Sequence, residues 1–174
     1  MKRIFFIIIF FLFFLQVSFI PALSESGSTI NFLLAGVVSL GLLFNFEAVI
    51  GWIFLIGILF ESYSANVFGL AMISFLVVGF FVFLIKSFFL SEERQLLINY
   101  LVFILSKIVF DLTFWALGFG LHFVFKKQNG YLSDFSVWGY LLEIFWFTIA
   151  GILIYEIFSR VKNKFEDDFK EIKV

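Results

Sequence analysis

Six long apolar runs separated by short polar breaks make up nearly the whole chain, at 4–23, 30–46, 48–60, 67–90, 96–125 and 137–158. The breaks include Ser24-Glu25-Ser26-Gly27-Ser28-Thr29, the Asn45 and Glu47 pair, Ser91-Glu92-Glu93-Arg94-Gln95 and Lys126-Lys127-Gln128-Asn129-Gly130. A helix rising about 1.5 Å per residue needs about 20 apolar residues to cross a hydrocarbon layer. In such a layer no water pairs with the backbone, so each segment must pair its own N–H and C=O groups. Unbroken runs of this length therefore predict helices, because barrel strands would be shorter and would alternate. The fold class that follows is all-α, a polytopic integral membrane bundle of about six transmembrane helices.

Some runs depart from the simple pattern. The 48–60 run is short for a crossing, which predicts a tilt, a locally thinned bilayer or a continuation through Glu61. The fourth run carries Lys86 at its end, placed to snorkel toward the interface. The first run follows Lys2 and Arg3, and Ala22-Leu23-Ser24 has small residues at cleavage-type positions. It exceeds the roughly 7–15 residues of a signal-peptide core, and Gln16 and Pro21 interrupt its end, so a retained first span is the expectation. Beyond 158 a charged tail, 159–174, places Phe158, Val161, Phe165, Phe169 and Ile172 at rough helical spacing. The simpler reading is that the last span continues into solvent; a cytoplasmic docking helix is the alternative.

Composition narrows the function classes. The chain is 63% hydrophobic and 14% charged over 174 residues, against about 45–50% and about 25% in soluble domains. A globule of this size has too little interior to hide such an excess, which excludes a soluble enzyme, a secreted disulfide scaffold and a nucleic-acid binder. Without cysteine there is no disulfide and no thiolate site, and the single His122 cannot form a histidine cluster. The 31 phenylalanines read as filler for a lipid-facing surface. No P-loop, HExxH or dinucleotide glycine pattern occurs, and His122 lies about three turns from Asp111 on one helix. No enzymatic activity, metal or cofactor is expected.

An even number of spans returns both termini to one side. Lys2, Arg3, Lys86, Arg94, Arg160, Lys162, Lys164, Lys170 and Lys173 then share that side, while Lys126 and Lys127 lie opposite and Lys107 sits within a span. The bias of Lys and Arg toward the cytoplasm predicts an N-in, C-in arrangement.

Polar groups inside the runs are the candidate chemistry, because a charge at the bilayer centre costs about 2.5–3.5 kcal/mol on insertion scales. Lys107 and Asp111, four residues apart, share a helix face and form an expected intramembrane ion pair. Gln16, Asn31 and Glu143 are further intramembrane polar residues, with Glu143 expected to reach the level of Lys126 and Lys127 or a wet vestibule. Glu61 is the most telling. It follows Gly57 by four residues, so one face presents a close-packing surface and then a carboxylate. Ala35, Gly36 and Ser39 on the second run and Ala116 with Gly120 on the fifth offer matching small faces. Gly57, Glu61, Asn66, Phe68 and Gly69 are accordingly expected to form a partner or lipid-headgroup contact at the outer leaflet.

The first half of the chain resembles the MreD family of bacterial rod-shape-determining membrane proteins. The resemblance rests on Leu15-Gln16-Val17-Ser18 with Pro21, then Asn31-Phe32-Leu33-Leu34 after a polar turn, then Gly57-Ile58-Leu59-Phe60-Glu61-Ser62, and Phe68-Gly69-Leu70 opening the next span. The Gly57 to Glu61 stretch looks like that family's Gly-Leu-x-x-Asp motif, with Glu61 in place of the usual Asp and Ile30 where a Pro often stands. The second half agrees in hydropathy alone. The resemblance implies a non-enzymatic scaffold of the cell-elongation machinery in the bacterial cytoplasmic (inner) membrane. Its implied partners are an MreC-like bitopic protein and, through it, MreB filaments and the RodA–transpeptidase pair building lateral peptidoglycan, with membrane lipids and no nucleic acid. The family is similar in architecture to substrate-binding subunits of energy-coupling-factor transporters, which supplies the alternative. In that case Asn31, Glu61, Asn66, Asn99, Lys107, Asp111 and Glu143 would converge on a small ligand.

Overall fold

A computed structural model describes residues 2–23, 30–64, 68–89, 95–125 and 137–171. These form α1 (Lys2–Leu23), α2 (Phe32–Leu43), α3 (Phe46–Tyr63), α4 (Leu70–Phe89), α5 (Gln95–Phe125) and α6 (Val137–Glu171). Four segments are long and apolar enough to cross a membrane by length and composition: Phe46–Tyr63, Leu70–Phe88, Leu97–Gly120 and Val137–Lys164. The chain is an all-α, multi-pass membrane protein. Among the described residues, the apolar segments Ile4–Ser18 and Phe32–Leu43 fall short of that length.

The second expected span, 30–46, holds a shorter helix than expected. At 12 residues, α2 is about 18 Å long, shorter by itself than about 30 Å of hydrocarbon. It stops because Phe44 (φ −123°, ψ 167°) and Asn45 (φ −75°, ψ 150°) turn extended, and Asn45 instead flanks the start of α3. The third run gains what the second loses: α3 has 18 residues rather than the 13 of the expected 48–60 segment, and it carries Glu61 inside the helix. The tail after 158 continues α6 without a break to Glu171.

All residues 33–42 of α2 are buried, and α2 packs against each of the other five helices. A helix apolar on every side is at home in lipid or among other helices, and α2 takes the second place, on the axis of the bundle. Small residues admit its neighbours: Gly36 faces Leu12 of α1 and Ile56 of α3, and Gly41 lies against Val82 of α4. Around it α3 packs on α4, α4 on α5, α5 on α6 and α1 on α3. The phenylalanines divide between two environments. Phe6, Phe10, Phe11 and Phe14 are exposed along α1, in keeping with a lipid-facing surface, whereas Phe5, Phe75, Phe103, Phe110, Phe147 and Phe158 are core residues.

The Phe5 ring packs on Phe44 at 5.3 Å and on Phe158 at 5.4 Å. The start of α1, the α2–α3 turn and the C-terminal part of α6 thus share one end of the bundle. The last carbonyls of α2 have no partner within the helix and carry the negative end of its dipole. Lys162 Nζ donates to Leu43 O and Lys86 Nζ to Phe44 O, each at 3.1 Å, and Lys162 also lies 5.4 Å from the Phe44 ring centroid. Lys86, expected to snorkel at the end of its run, reaches the α2–α3 turn at that end because the bare Phe44 carbonyl lies within its reach.

Candidate functional site

The antiparallel contact of α5 and α6 is set by ring packing. Phe103 lies 6.2 Å from Phe147, and its ring covers Gly151, where an added Cβ would approach within 2.5 Å. One turn further along α5 this register brings Lys107 beside α6. Its Nζ donates to Asp111 Oδ1 at 2.8 Å and Oδ2 at 2.7 Å, and lies 2.9 Å from Glu143 Oε1. The three ammonium donors are thereby taken up by three carboxylate oxygens. Tyr140, one turn before Glu143, donates its hydroxyl to Asp111 Oδ2 at 3.0 Å, and its ring centroid is 5.8 Å from the ammonium.

The expected Lys107–Asp111 pair is present, and it is larger than a pair. Glu143 turns its carboxylate to Lys107 across the α5–α6 contact, and the Lys126–Lys127 level it was expected to reach lies outside the described residues. A carboxylate so near the N-terminus of α6 also gains from that helix's positive dipole end. Tyr140 was missed by sequence reasoning; its signal is the three-residue spacing to Glu143, which puts both on one face of α6. The Lys107 side chain is 6% exposed, against 16% for Glu143 and 30% for Asp111. The cation is inside and the anions face outward.

Glu61 is also placed differently from expectation. It is 8% exposed, and its Oε1 accepts from Met72 N–H, in the first turn of α4, at 3.0 Å. This carboxylate caps α4 from the side instead of offering an outward contact, because α3 continues past 60 and lies beside unpaired amides of the next helix. Its Oε2 is buried with no hydrogen-bond partner among the described residues. Gly57 lies closest to Met72, whose Cα and Cβ would stand 3.0 Å from an added Cβ. Gly69 takes φ +94° just before α4, a left-handed conformation that glycine adopts without steric cost. Phe68 is the exposed member of the group at 75%, and Asn66 lies outside the described residues. Leucine at Glu61 would leave the Met72 amide unpaired, with an expected loss of about 1–3 kcal/mol, whereas glutamine keeps the acceptor. Thermal unfolding of both variants in detergent checks this: equal melting temperatures would contradict the cap.

Gln16 and Asn31 converge on the N-terminus of α2. Gln16 Oε1 accepts from Phe32 N–H at 2.8 Å, and Asn31 Oδ1 from Leu34 N–H at 2.9 Å. A short helix begun inside the bundle has no water to take its first amides, so two side-chain amides take them. Asn31→Ala is expected to cost about 1 kcal/mol and Gln16→Leu about 1–3 kcal/mol, read as loss of detergent-solubilised monomer on heating. Asn99 and Ser106, both buried on α5, keep Oδ1 and Oγ unpaired among the described residues. Among the described residues no group of three His, Cys, Asp or Glu side chains is placed to hold a metal ion. No protein-family model, curated protein or solved structure matches this chain.

Proposed function

We propose that this protein is a non-enzymatic scaffold of the bacterial cell-elongation machinery. It sits in the cytoplasmic membrane with both termini in the cytoplasm and couples MreB filaments, through an MreC-like bitopic protein, to the RodA–transpeptidase pair. The resemblance to MreD suggests the reading, and one structural observation supports it over the transporter alternative. A ligand-binding subunit needs a hollow between its helices lined by converging polar groups. Here the axis is filled by α2, buried along residues 33–42. Asn31 and Glu61 cap separate helices, and Lys107, Asp111 and Glu143 engage one another. With these side chains engaged in the bundle's own architecture, its outer surface is left to act, as a scaffold's does.

Isolation of the tagged protein from native membranes tests this. The expected co-isolated polypeptide is a bitopic protein of the elongation machinery, with rounding of cells on depletion. Recovery of paired ATPases and a membrane coupling subunit would overturn the reading. Reporters fused to the two termini are expected to respond from the same compartment, the cytoplasm; signals from opposite compartments would overturn the topology.

A further inference from the structure

The end of α3 gathers side-chain oxygens that the bundle leaves unanswered. Glu61 is 8% exposed, and while its Oε1 accepts from Met72 N–H, its Oε2 is buried with no hydrogen-bond partner among the described residues. Ser64, which closes α3, stands three residues on and so on the same face. Its Oγ is buried without a partner too, among the described residues. Ser62, between them, shows the usual resolution, its Oγ donating to Leu59 O at 2.8 Å. Buried polar atoms are nearly always paired with protein, water or an ion, and a carboxylate oxygen is among the costliest to leave bare. Two such atoms one turn apart mark a place where something binds.

The electrostatics of the helix end say what. A helix finishes with carbonyls that have no partner further along it and with the negative pole of its dipole, which favours a cation. In α3 Ser64 N–H donates to Phe60 O at 3.0 Å, and the carbonyls of Glu61, Ser62 and Tyr63 follow at the end of the helix. A carboxylate, a hydroxyl and helix-terminal carbonyls make an all-oxygen set with one formal negative charge. All-oxygen sets suit hard cations, and a single charge suits a monovalent one. Helix C-terminal ends serve sodium in this way within membrane proteins. A water molecule would pair with the same two side chains without neutralising any charge. The oxygens lie at the last residues of the apolar segment Phe46–Tyr63, where Ser62 and Tyr63 are exposed, so an ion has a short path to them. We infer that Glu61 Oε2, Ser64 Oγ and the terminal carbonyls of α3 bind a sodium ion, which fixes the end of α3 while Oε1 holds the first turn of α4. The inference goes beyond the scaffold reading and stands or falls without it.

Thermal unfolding of the full-length protein in detergent tests the site, with sodium chloride exchanged for choline chloride at constant ionic strength. The melting temperature is expected to rise with sodium and approach the logarithmic dependence of a ligand bound by the folded state alone. Glu61→Gln keeps an acceptor for Met72 N–H but removes the charge, and is expected to abolish the sodium dependence. Ser64→Ala removes one oxygen and is expected to raise the sodium concentration needed for a given shift about tenfold. Glu47→Gln, an exposed carboxylate in the first turn of α3, is the control and keeps the full response. Equal melting temperatures in the two salts, or a Glu61→Gln variant that responds to sodium like the parent, would overturn the site. Stabilisation by acid in place of sodium would give the bare oxygen to a proton and overturn it as well. If Glu61→Gln does not fold, Ser64→Ala decides alone: an unshifted sodium dependence overturns the site.

Discussion

Replacing Lys107 with methionine is expected to destabilise the bundle by about 3–5 kcal/mol, the penalty for removing one partner of a buried ion pair. The substitution keeps side-chain length and leaves Asp111 and Glu143 facing each other with no cation between them. The neutralising substitutions behave in the opposite way. Asp111→Asn and Glu143→Gln each leave one ammonium and one carboxylate, so each alone is expected to move the melting temperature little. Placed on top of Lys107→Met, they should recover stability stepwise, and the variant carrying all three should approach the parent. Because the groups share one network, the effects are expected to be strongly non-additive. Thermal unfolding in detergent, followed by loss of the monomer peak, gives the cycle directly. If Lys107→Met were no worse than Asp111→Asn, the ammonium would not be holding two carboxylates.

Gly57→Leu is the second large effect. The nearest atoms to an added Cβ are the Cα, Cβ and Cγ of Met72, all at 3.0 Å. Backbone cannot swing aside as a side-chain tip can, so α3 and α4 must separate, and separation also pulls Glu61 from the Met72 amide. Overpacking together with the lost cap predicts destabilisation of at least about 3 kcal/mol. Gly51 on the same helix is the control, since an added Cβ there meets nothing within 4 Å. Gly51→Ala is expected to be neutral or to stabilise by about 0.5–1 kcal/mol through helix propensity. A Gly57→Leu variant melting with the parent would remove the close α3–α4 contact from the account.

Glu61 and Lys107 show how far the candidate site was legible. The Lys107–Asp111 pair follows from a four-residue spacing on one helix, which is local geometry, and it is present. Glu143 joins Lys107 from 36 residues away and Tyr140 joins Asp111 from 29, through a register that Phe103, Phe147 and Gly151 set. That register leaves no mark on the local pattern. Glu61 was recognised as unusual because a carboxylate in an apolar run is costly anywhere. Whether it faced outward or capped a neighbouring helix depended on where α4 begins, and that depends on the turn at Gly69.

Hydropathy along the chain determined that the protein is a bundle of membrane helices, because every backbone group in hydrocarbon must pair locally and only a helix does so within one segment. It also determined most helix limits, set where polar breaks meet water. The tertiary structure decided that α2 is a short helix on the axis of the bundle. It also decided that Gln16, Asn31, Lys86 and Lys162 serve as that helix's caps, and that three charges form one cluster. The reason is physical: solvent preference is a property of each residue and is written in order along the chain. Which apolar helix is surrounded, and which donor meets which acceptor, is settled by packing between segments that are equally at home in lipid.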